Sequence, residues 1–228
     1  MADVSCNLSN CFLCSFCIPE WKELTALRKK TMFIKKGRQI FGEGEKVAGI
    51  YFMYSGLVKV HKQWGDQKEL ILRFAGPGDI LGHRGLGGAE RYPISATAIA
   101  DAQVCFISNV FLEASLKANP GFTYQVMHFY AAELQKAEKR MRNLAHMEVK
   151  GRIAEALLDI AHLSGHSGGG EVSLTLNRQD IASYAGTTYE TVFKFFTELL
   201  KEGIISTSGK TVRIIRPDSL RSLIGSPV

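Results

Sequence analysis

Two hydrophobic periods divide the chain. Between residue 31 and about residue 110, apolar and polar positions alternate in short runs, "TMFIKKGRQIF", "GIYFMYSGLVKVHK", "KELILRFAGPGDILG" and "SATAIADAQVCFIS", cut by glycine-rich turns. Successive side chains of a strand point to opposite faces, so this pattern predicts a roll or sandwich of antiparallel strands. From Gly121 the period lengthens. Met127, Tyr130, Leu134, Ala137, Met141 and Leu144 recur at alternating spacings of three and four, with Glu133, Lys136, Glu138, Lys139 and Arg142 between them. That spacing predicts a helix of about 25 residues with a narrow apolar seam. A seam of this width suits a second copy of the same helix, so a two-fold homodimer is expected. The competing arrangement packs the seam on the chain's own sheet.

Beyond the seam, "KGRIAEALLDIAHLS" reads as an amphipathic helix and "GHSGGGEVSLTL" as a glycine-rich break leading into a strand. Two short helices follow. "NRQDIASYA" (177–185) starts on Asn177 as N-cap; "TTYETVFKFFTELLKEG" (187–203) starts with Thr187 and Glu190 in capping-box spacing and stops at Gly203. Gly186 occupies the turn between them, and "IISTSGKTVRII" (204–215) reads as a hairpin turning at Ser208 and Gly209. Helix, tight turn, helix and hairpin make a winged helix-turn-helix. The expected fold is therefore α+β: a cysteine-rich segment over 1–25, an antiparallel β-roll over 26–118, a dimerisation helix over 119–148 and a winged helix-turn-helix over 149–228.

Composition narrows the class. With 46% hydrophobic and 22% charged residues the 228-residue chain is ordinary globular material. No apolar run approaches the roughly 18 to 20 residues of a membrane span, and no signal peptide is recognisable, so a cytoplasmic protein without a membrane partner is expected. A net charge of +6 points weakly to an anionic partner. Enzymatic machinery is not visible: there is no Gly-x-Ser-x-Gly, no phosphate loop and no His-Glu-x-x-His. Six histidines show no arrangement that would favour haem.

The second helix of a helix-turn-helix enters the major groove with its N-terminal side chains at base edges. Here those are Thr188, Tyr189, Glu190, Phe193 and Lys194, with Arg178 on the first helix. Glu190 can accept from cytosine N4 and Lys194 can donate to guanine or phosphate. Alternatively Glu190 serves only as a cap and Lys194 is a solvated charge. "LNRQDIASYAGTTYETVFKFFTELLKEGII" (176–205) resembles the DNA-binding signature of the Crp/Fnr family, which contains the cyclic-AMP receptor protein and the fumarate and nitrate reduction regulator (FNR). "GEGEKVAGIYFMYSGLVKV" and "FAGPGDILG" resemble the β-roll of that family, whose roll is of the cyclic-nucleotide-binding, jelly-roll kind. The resemblance implies a dimeric transcription regulator that binds a palindromic operator, with RNA polymerase as a further partner. It places Glu190 and Lys194 where the family carries a base-reading glutamate and arginine, and Phe193 where the FNR subgroup has serine. Lysine for arginine gives up planar bidentate geometry for a point charge.

In nucleotide-binding members a Gly-Glu pair engages the ribose and an Arg-Ser pair clamps the cyclic phosphate. The corresponding stretch here is "GHRGLGGAERYPISATA" (82–98). It keeps Gly82, Gly85 and Ser95 but places His83 at the glutamate and Ile94 at the arginine. A buried phosphate needs a matched charge, so the cassette reads as degenerate, with Arg84 and Arg91 as conceivable substitutes.

Cysteines supply the remaining chemistry. Cys11, Cys14 and Cys17 form Cys-x2-Cys-x2-Cys, Cys6 precedes them, and Cys105 lies in the predicted strand "AQVCFIS". In a reducing compartment such clustering favours a metal site or a redox device over disulfides. Four thiolates suit an iron-sulfur cluster, tetrahedral zinc or a thiol switch, and Cys105 alone suits an ordinary buried strand position. The layout, with "CIP" at 17–19, resembles FNR, although its cysteine spacing differs. That resemblance implies an oxygen-sensitive [4Fe-4S] cluster on four of the five cysteines, with Cys11, Cys14, Cys17 and Cys105 preferred over Cys6. With such a cluster, bridging the N-terminal arm to Cys105 would dock the arm beside the helix around Leu134 and Ala137 and favour dimer formation. The alternative is a regulator of the same family without a cluster, using zinc, a thiol switch, haem or a small effector in the roll.

Overall fold

The computed structural model describes residues 11–65, 68–86, 88, 90–163, 172–175, 177–209 and 211–224. The chain divides into two compact units, Met1–Gln63 with Ala75–Gln135, and Trp64–Phe74 with Lys136–Val228.

The first unit opens with two helices, α1 (Phe12–Phe16) and α2 (Pro19–Arg28). Strands β1 (Lys30–Ile34), β2 (Gln39–Phe41), β3 (Gly49–Ser55) and β4 (Val58–Trp64) follow. After β5 (Lys68–Ala75), most of which belongs to the second unit, come β6 (Ile80–Leu81), β7 (Ser95–Ala98) and β8 (Ala102–Ser108). One sheet has the order β1-β8-β3-β6, and β2, β7 and β4 run side by side in another, all pairs antiparallel. Across β3 and β8, Phe52 faces Cys105 and Ile50 faces Ile107, and Phe52 pairs with Ile80 on its other edge. Because strand side chains alternate, these five residues share one face. That face is covered by α1 and by α3 (Asn109–Ala118), with Leu13, Phe111, Leu112 and Phe122 completing a single apolar cluster. The seam helix is α4 (Pro120–His146), whose first part belongs to this unit.

The second unit contains the rest of α4, then α5 (Val149–Leu163), β9 (Val172–Thr175), α6 (Arg178–Ala185), α7 (Tyr189–Lys201), β10 (Ile205–Ser208), β11 (Thr211–Ile214) and α8 (Pro217–Leu223). Strands β10, β11 and β9 form an antiparallel wing. Asn177 caps α6 as expected, its side chain accepting from the Gln179 amide at 3.0 Å. Gly186 ends that helix in the left-handed region (φ 59°). The predicted start of α7 is one residue early. Thr187 is consumed by the turn, its amide donating to the Ala182 carbonyl at 3.0 Å, so Thr188 becomes the N-cap and accepts from the Thr191 amide at 3.3 Å. Glu190 therefore stands one position short of a capping box.

Candidate DNA interface and cysteine patch

Helix α7 has two faces. Val192, Phe195, Phe196 and Leu199 are buried, whereas Thr188, Tyr189, Glu190, Phe193 and Lys194 are exposed. The Glu190 carboxyl is held below the usual glutamate range, first by its own backbone N–H and then by the Thr188 hydroxyl, so it presents an ionised acceptor. From α6 the Arg178 guanidinium lies 5.4 Å from the ring centres of both Phe193 and Phe196. All six residues expected to meet DNA thus lie at the N-terminal ends of two adjacent helices.

Sequence reasoning missed the support behind this head. Arg140 of α4 sits over the Tyr184 ring at 3.6 Å and donates to the Tyr184 carbonyl. The Tyr184 hydroxyl donates to Asp159 of α5 at 2.5 Å, while burial pushes its phenol pKa up. Asn143 donates to both carboxylate oxygens of the buried Glu155, at 2.9 and 3.0 Å, and Arg152 donates to the Ala185 carbonyl at 2.7 Å. These bonds tie the end of the seam helix and α5 to the first helix of the reading head. The periodicity of α4 offered no signal for them, because Arg140 and Asn143 look like any polar residue beside the seam.

Along α4 the seam is divided. Met127, Leu134 and Met141, seven residues apart, are 64%, 61% and 63% exposed, Tyr130 is 36% exposed, and Ala137 and Leu144 are half-buried. Glu133, which reads as a polar flank of the seam, is buried: its Oε2 lies 3.8 Å from Nε2 of the buried His83. The loop expected as the effector cassette therefore faces α4. Gly82, with φ 80°, turns the chain into the short 3-10 segment His83–Gly85, the His83 ring meets Phe129 and Tyr130 edge-on, and the Tyr130 hydroxyl donates to the His83 carbonyl at 2.5 Å. Ser95 is buried with its Oγ accepting from the Glu43 amide at 2.9 Å, Ile94 is buried, and Arg91 donates to the Gly44 carbonyl at 2.6 Å. Phe41 and Tyr92 stack inside the roll, 4.2 Å between ring centres.

Cys11 occupies the N-cap position of α1 without a side-chain cap bond, Cys14 lies within the helix and Cys17 follows its end. Cys11 and Cys105 are both buried members of the apolar cluster over β3 and β8, and Cys14 packs against it. Cys17 is buried apart from them, its sulfur 3.5 Å from the Thr25 hydroxyl. No disulfide joins these four, and Cys6 lies outside the described residues. Trp21 pins the arm by donating to Ser115 Oγ at 2.9 Å, Asn119 donates to the Phe16 carbonyl at 3.2 Å, and the Phe12 ring meets Phe122 and Phe129. Among the described residues no three side chains of metal-binding type are gathered closely enough to hold an ion. By donor type the set fits a thiolate-bound group, since Cys11, Cys14 and the sequence-distant Cys105 all lie on one apolar cluster and soft thiolate ligands favour iron-sulfur or zinc. Such a group would take Cys11, Cys14 and Cys105, with Cys17 or Cys6 as the fourth.

No helix among the described residues is long and apolar enough to cross a membrane. Comparison with known proteins adds the following. Residues 31–119 match the family description of a cyclic nucleotide-binding domain, and residues 151–223 that of a Crp-like helix-turn-helix domain. The nitrogen fixation regulation protein FixK of Azorhizobium caulinodans is 31% identical over 204 residues, covering 88% of this chain and 81% of its own. The fumarate and nitrate reduction regulatory protein of Yersinia pestis is 26% identical over 229 residues, covering 97% and 91%. Among solved structures, FixK2 from Bradyrhizobium japonicum superposes with a TM-score of 0.78 at 26% identity, covering 88% of this chain and 99% of that one.

Proposed function

The chain belongs to the Crp/Fnr family of transcription regulators, which bind DNA as dimers, and from that premise we propose that it senses oxygen or redox state through a [4Fe-4S] cluster on its N-terminal cysteines and Cys105. The observation that supports this reading most is that Cys11, Cys14 and Cys105 all border one apolar cluster. A relative named for fumarate and nitrate reduction supports it further. When bound, such a cluster supplies reactivity toward oxygen.

The chain's own residues do the rest. Cys11, Leu13 and Phe12 hold the arm against β3, β8 and the first turns of α4, while His83, Glu133 and Tyr130 fasten the cassette loop to the same helix. Residues 1–25 act as sensor segment, 26–118 as effector roll, 119–148 as dimerisation helix and 149–228 as reading domain. A docked arm stabilises α4, whose exposed Met127, Leu134 and Met141 meet the same residues of a second copy. The dimer places Glu190, Lys194, Thr188, Tyr189, Phe193 and Arg178 of each copy at the two halves of a palindrome about 34 to 36 Å apart, and losing the dimer removes most of the affinity. RNA polymerase is the further partner and the cytoplasm, where thiols stay reduced, the compartment.

Purification without air should give a brown protein carrying sulfide and about four irons per chain. Cys105→Ser should lose most of that iron and bind operator weakly with or without air. A colourless, zinc-loaded wild-type preparation with full operator binding in air would overturn the proposal.

A further inference from the structure

The reading face of α7 is partly aromatic. Tyr189 and Phe193, one turn apart, are 41% and 50% exposed, their ring centres 6.5 Å apart and their planes 22° from parallel. Arg178 approaches the Phe193 ring from α6 at 5.4 Å, within cation–π range. Phe193 follows Glu190 by three positions and precedes Lys194, so the ring belongs to the surface that carries the polar readers. A phenyl ring has no hydrogen-bonding group for a base edge. The apolar feature that the major groove presents is the 5-methyl group of thymine.

We propose that Phe193, held in place by Tyr189 and Arg178, reads the methyl group of one thymine in each operator half-site. The inference rests on α7 being the DNA-reading helix and adds a specificity element that hydrogen-bonding logic does not supply. Tyr189 and Arg178 act through the ring as positioning residues: the stacked tyrosine and the nearby guanidinium limit the rotamers that Phe193 can adopt before DNA arrives.

The test uses the full chain and a duplex operator selected from random sequence. Each thymine is then replaced by deoxyuridine, which deletes only the methyl group, and affinity is read by fluorescence anisotropy at fixed salt. One uracil per half-site removes two methyl groups from the palindrome and should weaken wild-type binding about fifteenfold, about fourfold for each buried methyl group. In Phe193→Ala the same substitution should change nothing, so the thymine-to-uracil ratio falls to about one, whereas Phe193→Leu keeps part of it. Since Phe193 is half exposed, all three proteins should melt alike, which separates a lost contact from a lost fold. An operator that is enriched but indifferent to uracil, or a ratio unchanged in Phe193→Ala, overturns this inference alone. Failure to enrich any sequence overturns the DNA-reading assignment of α7 and this inference with it.

Discussion

Glu190 shows how much one exposed side chain is prepared by its backbone. Its carboxyl accepts from its own N–H and from Thr188, which keeps it ionised and turned toward the helix N-terminus, where the peptide dipoles also favour a negative charge. An ionised carboxylate accepts hydrogen bonds only; the major-groove donors are the amino groups of cytosine and adenine, and cytosine is favoured because adenine sets its acceptor N7 beside the amino group. Glu190→Ala should therefore relax preference at one base pair and cost about 1 to 3 kcal/mol at the favoured base. Competition binding against single-base operator variants reads this directly; an equal loss on every sequence would assign Glu190 to the helix end alone. The positions of these residues on the two helices were legible from the sequence because capping signals and Gly186 fix where each helix begins to within one position. The one-residue error arose from the turn, where the Thr187 amide closes α6 before α7 can start.

At the scale of elements, α4 carries two jobs on two sides. One side holds Glu133, Arg140 and Asn143 against the chain itself, and the other leaves Met127, Leu134 and Met141 in water. The alternation of three and four pointed to the exposed Met127, Leu134 and Met141 on the second side, because a seam is a local repeat, but it also took in Tyr130, Ala137 and Leu144, which are less exposed. It concealed the first, since a buried polar residue and a solvated one look alike in a pattern, and His83 and Ser115 are remote in sequence from what they touch. The N-terminal helices were likewise invisible: α1 is five residues long, too short for any period to declare itself. Leu134→Glu places a carboxylate in the centre of the seam, where desolvation costs several kcal/mol against a partner. The variant should sediment as a monomer at concentrations where the wild type is dimeric, with unchanged helicity by circular dichroism and operator affinity reduced to that of a half-site. A dimeric Leu134→Glu would move the interface elsewhere.

For the whole molecule, the roll matches a cyclic nucleotide-binding domain, while the side chains of its expected phosphate cassette are engaged within the chain. Ser95 is committed to the Glu43 amide, Ile94 is buried, Arg91 is bound to a backbone carbonyl, and stacked Phe41 and Tyr92 occupy the interior. A cyclic phosphate would have to displace these contacts without the charged clamp that repays desolvation. Calorimetric titration with cyclic AMP or cyclic GMP should show no tight binding, and neither nucleotide should raise operator affinity; micromolar binding by either would restore the cassette as an effector site. The spacing of the exposed seam residues has a consequence for the paired state. A straight α-helix drifts by about 20° per heptad against a seven-residue repeat, so Met127, Leu134 and Met141 fan through about 40° along one face. Two copies can keep all three in register only by coiling around each other with a left-handed twist. Any signal that relaxes that winding changes the azimuth at which the two subunits approach the groove, even while they stay joined.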